Sequence, residues 1–478
     1  MVLFSACAAC TPVKTRAALE THVRAPLITA PPPVDPQLVT MTAEPTTTLV
    51  AATATSELGI RVRVVAKDLP AAQRPPLDLA LVLDTSGSME GKPIDALRAS
   101  ARELAGKLRD GDRISVVVFH SKAEVLVPNV VVGPRNRATI ERAIAGIHAT
   151  GTTALVDGLS LGLAQLQRGI MPNGINRIVL FSDGVPNTSA QLPAMIAGIH
   201  QAGVSVTSLG FGVDYDTALM TQIARDTGGS FHYLEQPEEV AAVFDAELSK
   251  MTTAVARNVQ LVIEPGPGVT IPAMPGLVAG GDGRVYATLG DLPAGETRDL
   301  MIPLAVVARG DGSVAELAQA TLTFEDVIGH SGTRQRDAFV AAKASRDAAQ
   351  VKAAIKIELE VARIRASAAA AILQAINLAR AGQVQAARQG LAAATATVKA
   401  AAAKYKDPEL DQLLRQLDQV GKEIAQIVPS PQLVAPPGRD MPGRAMPAPA
   451  PATAPAAEVE SQLRRVEERA TATVRGQH

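Results

Sequence analysis

The sequence predicts an α/β protein in which a doubly wound, mostly parallel sheet is inserted in a β-sandwich and followed by an α-helical region. Three observations predict it. Between 77 and 250, short continuous apolar runs alternate with stretches of helical periodicity, as strands covered on both faces require. Between 255 and 330 that periodicity is lost, and turn signals separate short apolar segments. From 338 onward the chain is rich in alanine and almost free of proline.

Residues 1–40 read as a leader and a spacer stiffened by Pro31-Pro32-Pro33. In the next segment, 41–76, Ile60, Val62 and Val64 alternate with Arg61 and Arg63, the period of a half-buried strand. Such a strand needs a sheet to pair with, and the nearest unpaired set lies beyond 255. The α/β domain at 77–250 is therefore expected to be an insertion between the halves of the sandwich. Its strands are expected at 79–83, 114–119, 178–181 and 204–209, and its helices near 93–108, 135–148, 155–167, 189–201 and 215–226. The sandwich resumes over 251–337, with strands at 259–263, 284–289, 299–306 and 317–324 between turns such as Pro265-Gly266-Pro267-Gly268. Residues 338–427 read as a helical hairpin broken at Gly382, then a third helix that starts at Pro408 after Asp407. A Pro/Ala-rich linker is expected at 428–456, too poor in large apolar groups to fold, and a short charged helix and tail at 457–478.

Composition narrows the function. A chain of 478 residues has room for about three domains. Lys and Arg number 46 against 47 Asp and Glu, aromatics make up 3%, and tryptophan is absent. Neither a basic field nor stacking platforms are on offer, so nucleic acid is not an expected partner. No uninterrupted apolar stretch reaches the roughly 18 residues of a membrane-spanning helix.

Chemistry concentrates at strand ends. The run 79–83 is followed at once by Asp84-Thr85-Ser86-Gly87-Ser88-Met89, and in a doubly wound sheet the carboxyl ends of the strands form the ligand crevice. Gly151-Thr152-Thr153-Ala154-Leu155 before a helix and Asp183-Gly184 after the run 178–181 fit the same rim. Asp84, Ser86, Ser88, Thr153 and Asp183 thus bring carboxylates and hydroxyls together with no His or Cys among them. Hard oxygen donors of this kind suit Mg²⁺, with Mn²⁺ or Ca²⁺ as alternatives, and do not suit zinc. If the three hydroxyls bind directly and the two carboxylates act through water, the cation stays electrophilic. Read singly, Ser86 and Ser88 are helix caps and Asp84 a loop anchor. Asn187 and Asp157 read as a turn residue and a solvated helix position. His120, His148, His200 and His232 lack ligand spacing and read as ordinary surface or packing residues.

Taken in order, D-x-S-x-S at 84–88, Thr153 in its Gly-rich loop and D-G at 183–184 resemble the metal-ion-dependent adhesion site of a von Willebrand factor type A (VWA) domain. The resemblance covers about 77–250, and Ser208-Leu209-Gly210-Phe211-Gly212 with Gly228-Gly229 is similar to the bacterial branch. It implies a Mg²⁺-type ion held by Asp84, Ser86, Ser88, Thr153 and Asp183, and a protein partner that supplies Glu or Asp to it. It also implies binding rather than catalysis. The flanking strands and helical tail resemble accessory parts of bacterial VWA proteins and of inter-alpha-trypsin inhibitor heavy chains. The competing reading is a metal-dependent phosphotransferase or hydrolase, since a strand ending in Asp84 also resembles the start of the haloacid-dehalogenase type. That chemistry needs an acid two residues on, where Ser86 stands. At the other end of the argument, residues 1–7, with small residues leading into Cys7, resemble the end of a bacterial lipoprotein signal, although a basic segment is missing and the apolar run is short. The alternative is a leader with a chance C-x-x-C at Cys7 and Cys10. A lipid anchor implies the cell envelope or secretion, and its absence leaves the cytoplasm open.

Overall fold

The computed structural model describes residues 37–68, 75–171, 174–183, 190–211, 217–234, 236, 238–329, 331–425, 454–474 and 476. Cys7, Cys10, the three leader prolines, Gly184, Asn187, Gly212 and most of the expected linker lie outside these described residues. Three strands open the described chain, β1 (Val39–Pro45), β2 (Leu49–Ala51) and β3 (Ser56–Ala66). The alternation in β3 is realised: Ile60, Val62 and Val64 are fully buried, while Arg61 and Arg63 reach Glu44 and Asp299.

The inserted domain follows as β4 (Leu77–Asp84), α1 (Lys92–Lys107), β5 (Arg113–Phe119), β6 (Ala123–Val131), α2 (Arg137–Ala145), α3 (Leu155–Gln167), β7 (Ile175–Ser182), α4 (Leu192–Gln201), β8 (Ser205–Phe211), α5 (Thr217–Thr227), β9 (Phe231–Leu234) and α6 (Glu239–Thr252). Its strand order is β6-β5-β4-β7-β8-β9. All neighbours are parallel except β6, which is antiparallel to β5 because the short loop between them permits only a hairpin. Side chains of β4 alternate between two cores: Leu79, Leu81 and Leu83 pack on one face, Ala80 and Val82 on the other. That two-sided burial is why the strand reads as an unbroken apolar run.

The chain then returns as β10 (Ala254–Pro265), β11 (Val269–Thr270), β12 (Val278–Ala279), β13 (Val285–Pro293), β14 (Thr297–Val306), β15 (Val314–Asp326) and β16 (Gly332–Ser345). Two sheets result, β1-β3-β14-β11 and β12-β13-β10-β15-β16-β2. Both contain strands from either side of the insertion: β3 pairs antiparallel with β14, placing Ile60 opposite Ile302, and β2 pairs parallel with β16. Their inner faces share one core that includes Ile60, Leu261, Ile302 and Leu322.

One expected boundary is corrected here. The helical region does not begin at 338, because β16 runs on to Ser345. Val340, Ala342 and Ala344 are buried with strand period against β15, so the alanines that suggested a helix are the small residues of a sheet face. Helices follow as α7 (Ala348–Ala353), α8 (Ile357–Arg380), α9 (Val384–Tyr405), α10 (Pro408–Ile424) and α11 (Ala454–Val474). Asp407 caps α10 by accepting the Glu409 amide at 2.8 Å, and Pro408 opens the helix where a missing N–H costs nothing. For the same reason α11 starts at Ala454, within the span expected as linker, with Pro455 in its first turn. Among the described residues no helix is long and apolar enough to cross a membrane.

An ion cluster joins the inserted domain to its neighbours, and His232 stands within it. The reading of His232 as an ordinary surface or packing residue is thereby corrected. Its Nε2 lies 3.0 Å from Glu247 Oε1 on α6, and its Nδ1 lies 3.4 Å from Glu468 on α11. Lys250 donates to Glu247 at 2.9 Å, and Thr207 Oγ1 donates to its other oxygen at 2.9 Å while accepting from Arg177 at 2.9 Å. Arg177 in turn pairs with Asp291 of β13. Close backbone packing seals the same seam: a Cβ at Gly290 would lie 1.7 Å from the Gly228 carbonyl oxygen, so only glycine fits.

Candidate functional site

β4 and β7 are adjacent and parallel, and the chain leaves β4 for one side of the sheet and returns through β7 on the other. Their carboxyl ends therefore border the crevice where the strand order reverses, the place where this architecture builds sites. Asp84 ends β4, Ser182 ends β7, and Asp183 follows it directly.

Asp84 is fully buried. Its Oδ1 accepts the Ser86 amide at 2.9 Å and its Oδ2 accepts the Ser182 hydroxyl at 2.6 Å. Burial pushes its carboxyl up from the usual range, and the bonds from Ser182 and Ser86 only partly offset that. Among the described residues Asp84 has no salt-bridge partner. Ser86 stands before a short 3-10 turn, Gly87–Met89, without its side chain capping the turn. Its hydroxyl lies 3.1 Å from that of Ser88, which donates to Asp183 Oδ1 at 2.8 Å. The capping reading of Ser86 fails here, while Asp84 does anchor the loop as well as facing the hydroxyls.

The third loop is held to the first by backbone bonds. Thr150 N donates to Thr85 O at 2.6 Å, and Gly87 N donates to Gly151 O at 3.0 Å. Gly151 has φ 75°, and a Cβ there would sit 2.5 Å from Ser121 Oγ, so the turn that brings Thr153 to the rim requires glycine. Thr153 is buried in this loop, and Ala154 N donates to His120 O at 2.7 Å. All five expected site residues thus lie on three loops that touch at one rim. Asp157 is exposed on α3, as expected, and the Gly184 half of the D-G pair lies outside the described residues.

Sequence reasoning missed Ser182, Ser121 and His120. Ser182 carried the faint signal of a hydroxyl next to a strand-end Asp. The other two carried none, because their places depend on a hairpin turn between β5 and β6.

The donor set fits a Mg²⁺-type ion. Mg²⁺ takes oxygen ligands at about 2.0–2.1 Å in an octahedron, which puts adjacent ligands roughly 2.9 Å apart. Ser86 Oγ and Ser88 Oγ stand 3.1 Å apart, and Asp183 Oδ1 backs them at 2.8 Å from Ser88 Oγ. A cation would be met by the hydroxyl lone pairs, with the protons kept and turned away from it.

The model of the von Willebrand factor type A domain matches residues 78–246. This chain carries a VWA domain. The chain is 33% identical over 215 residues to the uncharacterized protein sll0103 of Synechocystis sp., covering 45% of this chain and 50% of that one. It is 28% identical over 178 residues to human inter-alpha-trypsin inhibitor heavy chain H4, covering 35% of this chain and 19% of that one. It spans half or less of the length of these curated relatives. A solved structure described as von Willebrand factor type A from Catenulispora acidiphila superposes with a TM-score of 0.62 at 18% identity, over 81% of this chain and 89% of that one. At that identity the likeness is one of fold, and it extends beyond the VWA domain into the sandwich and helices. VWA domains commonly bind protein partners through a divalent metal.

Proposed function

We propose that this protein is a non-enzymatic binding protein whose VWA domain holds a Mg²⁺-type cation, Mg²⁺ itself or Mn²⁺ or Ca²⁺, and grips a Glu or Asp side chain of a protein partner. The observation that carries the reading is the pair of Ser86 and Ser88 hydroxyls 3.1 Å apart, backed by Asp183, beside a buried Asp84 that among the described residues only neutral groups hold. Ser86, Ser88 and Thr153 bind the ion through hydroxyls. Asp84, with both oxygens engaged by Ser86 and Ser182, and Asp183 act through water. When bound, the cation supplies an open electrophilic coordination position. Hydroxyl ligands neutralise no charge, so an anionic side chain is favoured there over water. Ser86 also occupies the position where a phosphotransferase of the competing type needs an acid, which favours binding over turnover.

Losing a buried charge-assisted contact costs about 2–5 kcal/mol, enough to weaken a complex roughly 30- to 5,000-fold. The test is capture of envelope-extract proteins on the immobilised full chain in Mg²⁺, in EDTA, and with Ser86→Ala. Chelation and the substitution should abolish the same capture. Capture at full strength in EDTA would place the interface elsewhere, on the sandwich or the helical tail.

A further inference from the structure

We propose that Ser121, outside the expected ligand set, is a positioning residue of the cation site: its hydroxyl holds the backbone beside Thr153 and so fixes where the Thr153 hydroxyl meets the ion. The inference rests on the cation-site reading and goes beyond it by naming what makes Thr153 a ligand.

Thr153 sits between two anchored amides. Thr152 N donates to Ser121 Oγ at 3.1 Å, and Ala154 N donates to His120 O at 2.7 Å. Both acceptors belong to the turn between β5 and β6, which His120 N closes by donating to Lys122 O at 2.9 Å. On its other side the Thr153 loop is tied to the serine loop, through Thr150 N to Thr85 O and Gly87 N to Gly151 O. Thr85 N in turn donates at 2.8 Å to the carbonyl of Phe119, the residue before His120. The loops after β4 and β5 and the loop of Thr153 thus brace one another in a closed ring.

Ser121 is the weak point of that ring. The other bonds that close it end on backbone carbonyls, which no substitution removes, whereas the bond from Thr152 N ends on a side chain. Thr152 Oγ1 approaches the same oxygen at 3.4 Å. Gly151 is matched to this contact, because a Cβ there would stand 2.5 Å from Ser121 Oγ. The glycine before Thr153 and the serine hydroxyl across from it therefore occupy complementary places.

For the ion, position is what counts. A threonine hydroxyl brings no charge, and Mg²⁺ accepts it only at about 2.0–2.1 Å in an octahedron, so a loop free to shift by about half an ångström loses the ligand. Ser121 and Thr152 are both exposed. Without the hydroxyl, water takes over the Thr152 N–H and the fold loses little; what goes is the restraint on Thr153.

The test titrates Mn²⁺ into the full chain and follows the paramagnetic resonance of the free ion, with urea unfolding of each protein alongside. Ser121→Ala should bind Mn²⁺ about tenfold more weakly, the scale on which groups that orient metal ligands act, with its urea midpoint unchanged. Ser121→Thr keeps the hydroxyl and should stay within twofold of the wild type. Thr153→Ala should also lose about tenfold, and adding Ser121→Ala to it should cost less than a further twofold, because Ser121 acts through Thr153. A Ser121→Ala protein that binds like the wild type, or losses that multiply in the double variant, overturns the role of Ser121 and leaves the cation site standing. A Ser121→Ala protein with a lowered urea midpoint would make the residue structural and overturn that role too. Wild-type affinity in Thr153→Ala overturns both Thr153 as a ligand and Ser121 as its holder. Wild-type protein that fails to bind Mn²⁺ overturns the cation site, and Ser121 with it.

Discussion

Asp84 at the rim and Glu247 in the seam are carboxylates of one domain, 0% and 2% exposed, yet they are held in opposite ways. Among the described residues neutral donors hold Asp84, the Ser86 amide and the Ser182 hydroxyl. Glu247 lies 3.0 Å from His232, 2.9 Å from Lys250 and 3.9 Å from Arg177. Burial prevails at Asp84 and pushes its carboxyl up. At Glu247 burial pushes the same way, but the His232 bond and the charges of His232, Lys250 and Arg177 outweigh it and hold the group far below the usual range. A carboxylate whose charge the protein balances is structural; one held by neutral donors among the described residues lies next to where the proposed cation would sit. Asp78 is intermediate. Fully buried at the far end of β4, it has one oxygen bonded to Asn129 at 2.7 Å and Arg113 only 3.7 Å away from the other.

Cutting the balanced cluster should have the largest effect. Glu247→Ala removes the central carboxylate of the cluster, leaving Arg177 only Asp291 and His232 only Glu468 as acidic partners among the described residues, and should cost about 3–5 kcal/mol in urea unfolding. A loss under about 1 kcal/mol would break the comparison, because the seam would then not depend on its charge balance.

The same cluster gives a pH signature. Burial alone would lower the His232 pKa, but hydrogen bonds to Glu247 and Glu468 and the charge of Glu247 raise it from 6.5 to about 9. A folded-state pKa above the unfolded one contributes stability that is full below 6.5 and lost as pH rises through about 9. At about 1.4 kcal/mol per tenfold change in proton affinity, some 3 kcal/mol is at stake. Unfolding measured at pH 7 and pH 10 should show the wild type losing its advantage over His232→Gln. An advantage that persists at pH 10 would mean that packing, and not the imidazolium, supports the seam.

Asp78 should give the smallest effect and the opposite sign. Burial raises it from 3.8 to about 6, against the Asn129 bond and the Arg113 charge, so its ionisation disfavours the fold as pH rises from 3.8 through about 6. Asp78→Asn should therefore stabilise by about 1–2 kcal/mol at pH 8, and the gain should fade toward pH 4. A destabilised variant at pH 8 would show Arg113 to be a full partner and move Asp78 into the class of Glu247.

What the sequence revealed of this contrast follows from range. That Asp84, Ser86, Ser88, Thr153 and Asp183 share one rim was legible because each lies at or just past a strand end or just before a helix in a periodic pattern, and doubly wound topology brings such ends together. The insertion was legible from β3, whose alternating Ile60, Val62 and Val64 require partners that the inserted domain does not offer. His232, Glu247 and Asp291 were not legible, because nothing local distinguishes a charged residue on a surface from one whose partner arrives from another domain. Composition misled at β16, where Ala338, Ala341, Ala342 and Ala344 suggested a helix although the first three pair with β15 and Ala344 with β2 as strand residues.

The central claim, that the rim around Asp84 is completed by a divalent cation, is tested most directly by calorimetric titration of Mg²⁺ into the full chain and into Asp183→Ala. The account predicts one ion per wild-type chain and an affinity at least about tenfold weaker in Asp183→Ala, roughly 1.4 kcal/mol or more, with urea unfolding of the two proteins unchanged within about 1 kcal/mol. An Asp183→Ala protein that binds Mg²⁺ with wild-type affinity would contradict it.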